Sequence, residues 1–466
     1  MSGTKSYFFC GIGGSGMLPL ASIVRAQGAE VAGSDRALDQ GRTAAKFGYL
    51  RGLDIALFPQ DGSGLVSPDQ ILVASAAVEE SVPDVQAARR LGVERITRAE
   101  LLARLFNAAG TGIAVGGTSG KSTVTGMIGW ILHSAGLEPT VMNGAVMKNF
   151  ATPDAPFASA LVGDGRVFVS EVDESDGSIA LYRPEIAVLN NVSLDHKSMQ
   201  ELRTLFGEFL GRAKTGVVNL DDPETRSLAE ALPAGRRLTF AFADSSADLH
   251  GFGVDDHGGE MRFEVRDART GEQCLATVRL WGVHNAQNGL AALAAARALG
   301  VPLGAAVAAL ADFQGLRRRF EEIGERRGIA VIDDFGHNPD KIAATLHAAR
   351  SHLQGRLLLF FQPHGYGPLK TMRKELAAAF AEGMSEVDLL ILCDPAYFGG
   401  TVERAVTSAD IVADVRTAGR AAEHIPDRAE AGRRLAALAR PGDRILVMGA
   451  RDDTLSQFAE SVLASL

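Results

Sequence analysis

The stretch "TGIAVGGTSGKSTVTGMIGWIL", residues 111 to 132, constrains the fold more than any other part of the chain. It runs from an apolar strand-like segment through a glycine-rich turn into a helical pattern, the strand–loop–helix unit that cradles phosphate groups. The strict pattern G-x-x-x-x-G-K-[ST] asks for glycine five positions before Gly120, where this chain has Val115. Gly116 and Gly117 are expected to supply the missing backbone freedom. The phosphate contacts then fall on Gly117, Thr118, Ser119, Gly120, Lys121, Ser122 and Thr123. Backbone N–H groups and the Lys121 ammonium face phosphate oxygens, and the Ser122 hydroxyl suits Mg²⁺.

Such a unit needs parallel neighbours, and the sequence offers them on both sides. "YFFCGIG", "EVAGSD" and "QILVAS" precede it, with "RAELLARLFN" as a closing helix. "RVFVSEVD", "IAVLNNV" and "TGVVNL" follow, each ending where polar residues begin. The last third repeats the scheme in "IAVIDDFGHNPDKIAATLHAAR", "RLLLFFQPHG", "VDLLILCDPA" and "DRILVMGARDD". Alternation of this kind predicts α/β structure with ligands at the carboxyl ends of the strands. Three domains are expected: a Rossmann-like domain over 1–107, a central P-loop ATPase-like domain over 108–315 and a second Rossmann-like domain over 316–466. "MRFEVRD" and "CLATVRL" predict antiparallel strands appended to the central domain, and "FQGLRRRFEEIG" reads as a linker.

Charge and cysteine content narrow the function. A formal net charge of -9 and no basic run longer than Arg317 to Arg319 argue against a nucleic-acid backbone as partner. Three scattered cysteines, Cys10, Cys274 and Cys393, fit a reducing compartment and exclude a disulfide framework or clustered-thiolate zinc site. The chain shows neither a signal-peptide pattern nor an apolar run long enough to span a membrane, so a cytoplasmic location is expected.

"GIGGSG" satisfies G-x-G-x-x-G at Gly11, Gly13 and Gly16, with Asp35 at the end of the next strand. The pattern requires a diphosphate near a helix N-terminus, which NAD and a nucleotide-sugar diphosphate meet equally well. "SEVDESDGS" places Glu171, Asp173, Glu174 and Asp176 on the same sheet end as the phosphate loop, which favours a Mg²⁺ role for at least one. Spacing does not choose among them. Asp195 and His196 follow another strand. "DDFGHNPD" sets Asp333, Asp334 and His337 at a strand end, where Asn338 and Pro339 suit a helix cap and the charges suit a nucleotide. His284, Asn285 and Asn288 in "HNAQN" form a cap or meet a polar ligand.

Taken together and in this order, "GIGGSGM", "GSD", "GGTSGKST", "EVDESD", "LDH", "HNAQN", "RRF" and "DDFGHNPD" resemble the Mur ligases of peptidoglycan synthesis over essentially the whole chain. The resemblance is closest to the branch that acts on UDP-N-acetylmuramate, whose members add L-alanine or, in recycling, a tripeptide. It implies a three-domain ATP-dependent amide ligase. UDP would lie on Gly11, Gly13, Gly14, Ser15, Gly16, Met17, Ser34 and Asp35. Lys121, Glu171 and His196 would carry the chemistry, with Ser122, Glu171 and His196 as Mg²⁺ ligands. His284, Asn285 and Asn288 match the adenine-side motif, Arg318 and Arg319 the family arginines, and Asp334 the aspartate that reaches ATP as the third domain closes. An acyl phosphate would form on the lactyl carboxylate and be captured by an amine.

One segment departs from the family. Alanine-adding members carry a basic "PHRYTR"-like stretch that serves the acceptor carboxylate, whereas this chain reads "PHGYGPLK", with Gly365 in place of the first arginine. His337, His364, Tyr366 and Lys370 remain as acceptor contacts. The partners implied are a UDP-N-acetylmuramate-like nucleotide sugar and an amino acid, by default L-alanine, or a short peptide such as the recycling tripeptide. An NAD-dependent oxidoreductase leaves Lys121, Glu171 and Asp334 without a role. A non-catalytic nucleotide sensor does not account for the joint presence of Lys121, Ser122, Glu171, His196 and Asp334.

Overall fold

The computed structural model describes residues 5–76, 78–194, 197–395, 404–450, 452 and 454–466. The first sheet holds β1 (Ser6–Cys10), β2 (Glu30–Ser34), β3 (Ala56–Phe58), β4 (Gln70–Ala74) and β5 (Glu94–Thr97), all parallel, in the order β3-β2-β1-β4-β5. Phe8 and Phe9 of β1 point to opposite faces and both are fully buried, as a strand covered on two sides requires. Strand order reverses between β1 and β4, so the turn leaving β1 lies at the topological switch point. That turn is "GIGGSG".

The second sheet has ten strands. They are β6 (Thr111–Gly116), β7 (Thr140–Met142), β8 (Ala160–Leu161), β9 (Val167–Glu171), β10 (Ile186–Leu189), β11 (Thr215–Asn219), β12 (Arg237–Ala241), β13 (Leu249–Asp256), β14 (Met261–Asp267) and β15 (Gln273–Val278). Their order is β15-β14-β13-β12-β11-β10-β6-β9-β7-β8, which puts β6 between β9 and β10. β13, β14 and β15 pair antiparallel, as the alternation of "MRFEVRD" predicts.

Helix Arg98–Ala108 fastens the first sheet to the second. Phe106, near its end, meets Phe168 edge-on at 5.7 Å and Tyr182 at 5.1 Å, inside one core cluster that both sheets share. Asn107 adds two bonds, donating to the Leu181 carbonyl and accepting from Arg183 N–H, each at 2.9 Å. Residues 1–315 accordingly form one compact unit and residues 316–466 another.

The second unit carries β16 (Glu321–Arg326), β17 (Ile329–Asp334), β18 (Leu357–Gln362), β19 (Leu389–Leu392), β20 (Ala421–His424) and β21 (Arg444–Gly449), ordered β16-β17-β21-β18-β19-β20. β16 corrects the sequence reading, which treats "FEEIG" as linker. It is an antiparallel edge strand, joined to β17 through Arg327 and Gly328 at φ +55° and +72°, the paired positive values of a tight hairpin. Its charged composition hides it from a search for apolar runs, and charge is what protects an edge.

Candidate functional site

The phosphate loop takes its shape from two glycines and one asparagine. Gly117 and Gly120 sit at φ +130° and +79°, a region that L side chains rarely adopt. The freedom expected of Gly116 lies instead at Gly120, for Gly116 is an ordinary strand residue packed close to the Phe209 ring. Asn191, at the end of the β10 segment, holds the intervening turn. Its Oδ1 accepts from Ser119 N–H at 2.9 Å and from the Thr118 hydroxyl at 3.1 Å, and its Nδ2 donates to the Ser119 carbonyl at 3.1 Å. Sequence reasoning missed Asn191, because nothing local marks "NN" as a loop clamp.

Helix Lys121–Ser134 begins directly after Gly120, with no side chain capping its first turn. Lys121 Nζ donates to the Gly117 carbonyl at 2.7 Å and to both Glu174 oxygens at 3.0 and 2.8 Å. The Ser122 hydroxyl donates to Glu171 Oε2 at 2.7 Å, and Thr123 is half-buried beside it. The acid block is thereby sorted. Glu171 faces Ser122, Glu174 faces Lys121, and Asp173 and Asp176 bond to Ser175 and Ser178 within their own turn. Glu174, only 3% exposed, is named in the sequence only as one of four acids for Mg²⁺, and its pairing with Lys121 is what the sequence does not show.

Ser122 and Glu171 place a hydroxyl and a carboxylate oxygen together at the mouth of the loop, the hard-oxygen chemistry that suits Mg²⁺. Among the described residues no group of three or more His, Cys, Asp or Glu gathers as a metal cage. Asp195 and His196 lie outside the described residues.

The "HNAQN" helix approaches from the other side. Asn285 Nδ2 donates to the Trp281 carbonyl at 2.8 Å, and Asn288 Nδ2 donates to Asn285 Oδ1 at 2.9 Å. Both are buried, while His284 is exposed at the first position of the helix. The buried amides therefore brace the helix against the loop, and His284 is the member that faces outward.

In the first sheet, Gly11 and Ile12 N–H donate to the Ser34 carbonyl at 2.8 and 3.0 Å, and Gly13 N–H donates to Asp35 Oδ2 at 2.8 Å. The second Asp35 oxygen caps helix Arg36–Asp39 through Ala37 N–H. Asp35 thus shapes the diphosphate loop itself. Gly14 and Ser15 form the exposed tip, and Gly16 precedes buried Met17 at the start of helix Met17–Ala26. Below them the Ser34 hydroxyl donates to Asp84, a fully buried carboxylate that also accepts from Gly62 N–H. Cys10 lies in this layer, and burial pushes its thiol up to about 12, so it is no nucleophile.

The second unit groups its predicted residues at the ends of β17 and β18. Arg318 is spent on structure: its Nε meets Asp333 at 3.2 Å, and its other nitrogens donate to the Asp452 and Gly449 carbonyls at 3.0 and 2.7 Å. Asp334 accepts from Phe320 and Gly336 N–H and from the Thr345 hydroxyl. Arg319 stacks on the Phe335 ring at 4.7 Å. Asn338 caps helix Pro339–Arg350, as its position before Pro339 predicts. His337 and His364 meet edge to face at 5.2 Å, and burial holds the His337 imidazole down at about 4. Tyr366 and Lys370 lie on the short helix that follows Gly365, and Arg404, unremarked in the sequence, packs over Tyr366 at 5.2 Å.

A glycine loop with its lysine, a hydroxyl–carboxylate pair beside it and a second glycine loop at a switch point are features of an α/β protein that binds nucleotides. The chain matches the Mur ligase family, catalytic domain, over residues 6–109, the Mur ligase middle domain over 115–296 and the Mur ligase glutamate ligase domain over 318–451. It belongs to the Mur ligase family and is an ATP-dependent ligase. It is 35% identical over 456 residues to the UDP-N-acetylmuramate–L-alanine ligase of Streptomyces avermitilis, covering 96% of this chain and 94% of that one. The enzyme of the same name from Sorangium cellulosum is 35% identical, with 95% and 93% covered. In fold it is similar to the UDP-N-acetylmuramate–alanine ligase of Thermotoga maritima (TM-score 0.77, 24% identity, 99% and 100% covered). It is also similar to the murein peptide ligase of Psychrobacter arcticus (TM-score 0.70, 23% identity, 99% and 98% covered). Among the described residues no helix is long and apolar enough to cross a membrane.

Proposed function

We propose that the protein joins L-alanine to the lactyl carboxylate of UDP-N-acetylmuramate at the expense of ATP. The observation that carries this reading is likeness along the full chain to ligases of that name, at 35% identity. In this reading residues 1–107 hold the UDP substrate on the loop Gly11 to Gly16, which Ser34 and Asp35 shape from beneath. Residues 108–315 hold ATP, and residues 316–466 bind the amine. Three cysteines without disulfides support a cytoplasmic location.

A carboxylate is a poor acyl donor, so its oxygen first attacks the γ-phosphorus and ADP departs with the bridging oxygen. The amine nitrogen then attacks the acyl phosphate carbon, and inorganic phosphate leaves as the amide forms. Catalysis is positioning and charge stabilisation. Lys121, on the first turn of its helix, moves its ammonium from Glu174 to the phosphates. The N–H groups of residues 120–122, where the helix opens, face the same oxygens, while those of Thr118 and Ser119 are held by Asn191. Ser122 and Glu171, with His196, would hold Mg²⁺, which supplies neutralisation of phosphate charge when bound. His337, neutral at pH 7, with His364, Tyr366 and Lys370, lines the acceptor side.

The absence of a guanidinium at Gly365 supports a second reading, a tripeptide acceptor of the recycling type. Phosphate release from ATP and Mg²⁺ with UDP-N-acetylmuramate separates the two, screened against L-alanine, glycine, L-serine and L-Ala-γ-D-Glu-meso-diaminopimelate. Release that depends on sugar nucleotide and L-alanine supports the first reading. Release with the tripeptide alone replaces it by the second, and no release with any amine removes both.

A further inference from the structure

Arg98 opens helix Arg98–Ala108, directly after a Thr97–Glu100 capping box. Glu100 is committed to that box, accepting Thr97 N–H at 2.7 Å and the Thr97 hydroxyl at 3.0 Å. A cation at the first position of a helix faces the positive end of the macrodipole, so Arg98 gains nothing there as a helix former. Among the described residues no hydrogen bond or ion pair fixes its guanidinium, whose charge acts on Asp173 and Tyr182. A half-buried guanidinium with its donors unspent points to a partner outside the chain.

Its surroundings indicate which partner. A Cβ at Gly16, the last glycine of the first loop, would lie 3.0 Å from Arg98 Cδ and 3.3 Å from both Nε and Nη1. The guanidinium therefore lies against the loop read as the diphosphate site. On its other side is the acid block of the ATP loop. Asp173, whose carboxylate accepts from Ser175 within its own turn, is the acid whose charge the guanidinium meets there. The Phe106 packing at the far end of the same helix keeps Arg98 in this gap.

We propose that Arg98 is a substrate-binding residue whose guanidinium receives an anionic group of the nucleotide sugar between the two glycine loops. This rests on the reading of the first loop as the UDP-sugar site. A UDP-N-acetylmuramate offers two such groups, the diphosphate and the lactyl carboxylate, and a guanidinium fork suits both.

The test measures dissociation constants of the full-length protein, Arg98→Gln and Arg98→Lys for UDP, UDP-N-acetylglucosamine and UDP-N-acetylmuramate, with ATP binding as the control for folding. Arg98→Gln should weaken UDP-N-acetylmuramate binding roughly ten- to a hundredfold, the range of one charged hydrogen-bonded contact, and leave ATP unchanged. Arg98→Lys should recover part of the loss, and it carries the test if the glutamine variant does not fold. Equal losses for all three ligands assign the diphosphate, and a loss confined to UDP-N-acetylmuramate assigns the carboxylate. Unchanged constants for all three overturn the proposal. A wild-type protein that binds ATP but none of the three removes the loop reading and this inference together.

Discussion

Asn190 Nδ2 donates to Asn288 Oδ1 at 2.8 Å, so an amide at a strand end and an amide on the "HNAQN" helix close over one side of the phosphate loop. The pair stands on Gly120, where a Cβ would lie 2.5 Å from Asn288 Oδ1. The helix that starts with His284 therefore braces the glycine turn at Gly120, which would link the two ends of the proposed nucleotide site mechanically.

Gly120→Ala should therefore fail twice, through its positive φ and through the clash with Asn288. The expected loss is about 2 kcal/mol of stability and at least tenfold in ATP affinity, measured by denaturant unfolding and calorimetry. An alanine variant with wild-type affinity would show that the Asn190–Asn288 brace is dispensable.

Lys121→Ala should abolish turnover and leave UDP-sugar binding in place. It also strands Glu174, a carboxylate buried to within 4% of its side-chain surface, against which Lys121 retains 19% exposure. Stability should fall by about 3 kcal/mol and return in large part in the Lys121→Met, Glu174→Gln double variant, because an unpaired buried charge is worse than none. Equal unfolding midpoints for the single and double variants would contradict this.

Arg318 and Arg319 are adjacent but should not behave alike. Arg318→Ala leaves Asp333, fully buried, without its guanidinium, and should lower stability by about 3–5 kcal/mol. Arg319→Ala should fold normally and lose turnover. Comparing unfolding midpoints with kcat for the two variants separates the roles.

His337 gives the protein an acid limb. Its imidazole is held at about 4 by burial, against an ordinary 6.5, so below 6.5 the unfolded chain takes up a proton that the folded one refuses. Stability contributed by this site is present above pH 6.5 and lost as the pH falls toward 4, by an amount of order 3 kcal/mol. His337→Gln should flatten unfolding free energy over that window, and an unchanged slope would exclude His337 as its source.

Introducing arginine at Gly365 should not rescue an acceptor contact. Gly365 sits at φ +149° and precedes helix Tyr366–Thr371, so any side chain strains the turn. Gly365→Arg should destabilise by about 1–2 kcal/mol and leave KM for L-alanine no lower. Improved KM at intact stability would mean that the turn tolerates a side chain.

Features carried by neighbouring residues were legible in the sequence: the strand ends, the two glycine loops, the "MRFEVRD" ribbon and the Asn338 cap. Partnerships across tens of residues were not. Glu174 is indistinguishable from Asp173 or Asp176 until β9 is set beside β6, which aims one acid at Lys121 and another at Ser122. Asn191 reads as a loop residue, and only strand pairing brings its amide to Ser119. The edge strand Glu321–Arg326 carries too little apolar character to register as a strand.

The Phe106 contacts between the first two sheets have a further consequence. Two loops mounted on one close-packed core keep a set separation, because interiors of that density yield little. With the donor anchored at Gly11 to Met17 as proposed, the first unit would work as a gauge, bringing a carboxylate to the γ-phosphate only when its spacer matches the gap. Selection by length would then operate before any contact with the reacting group is made.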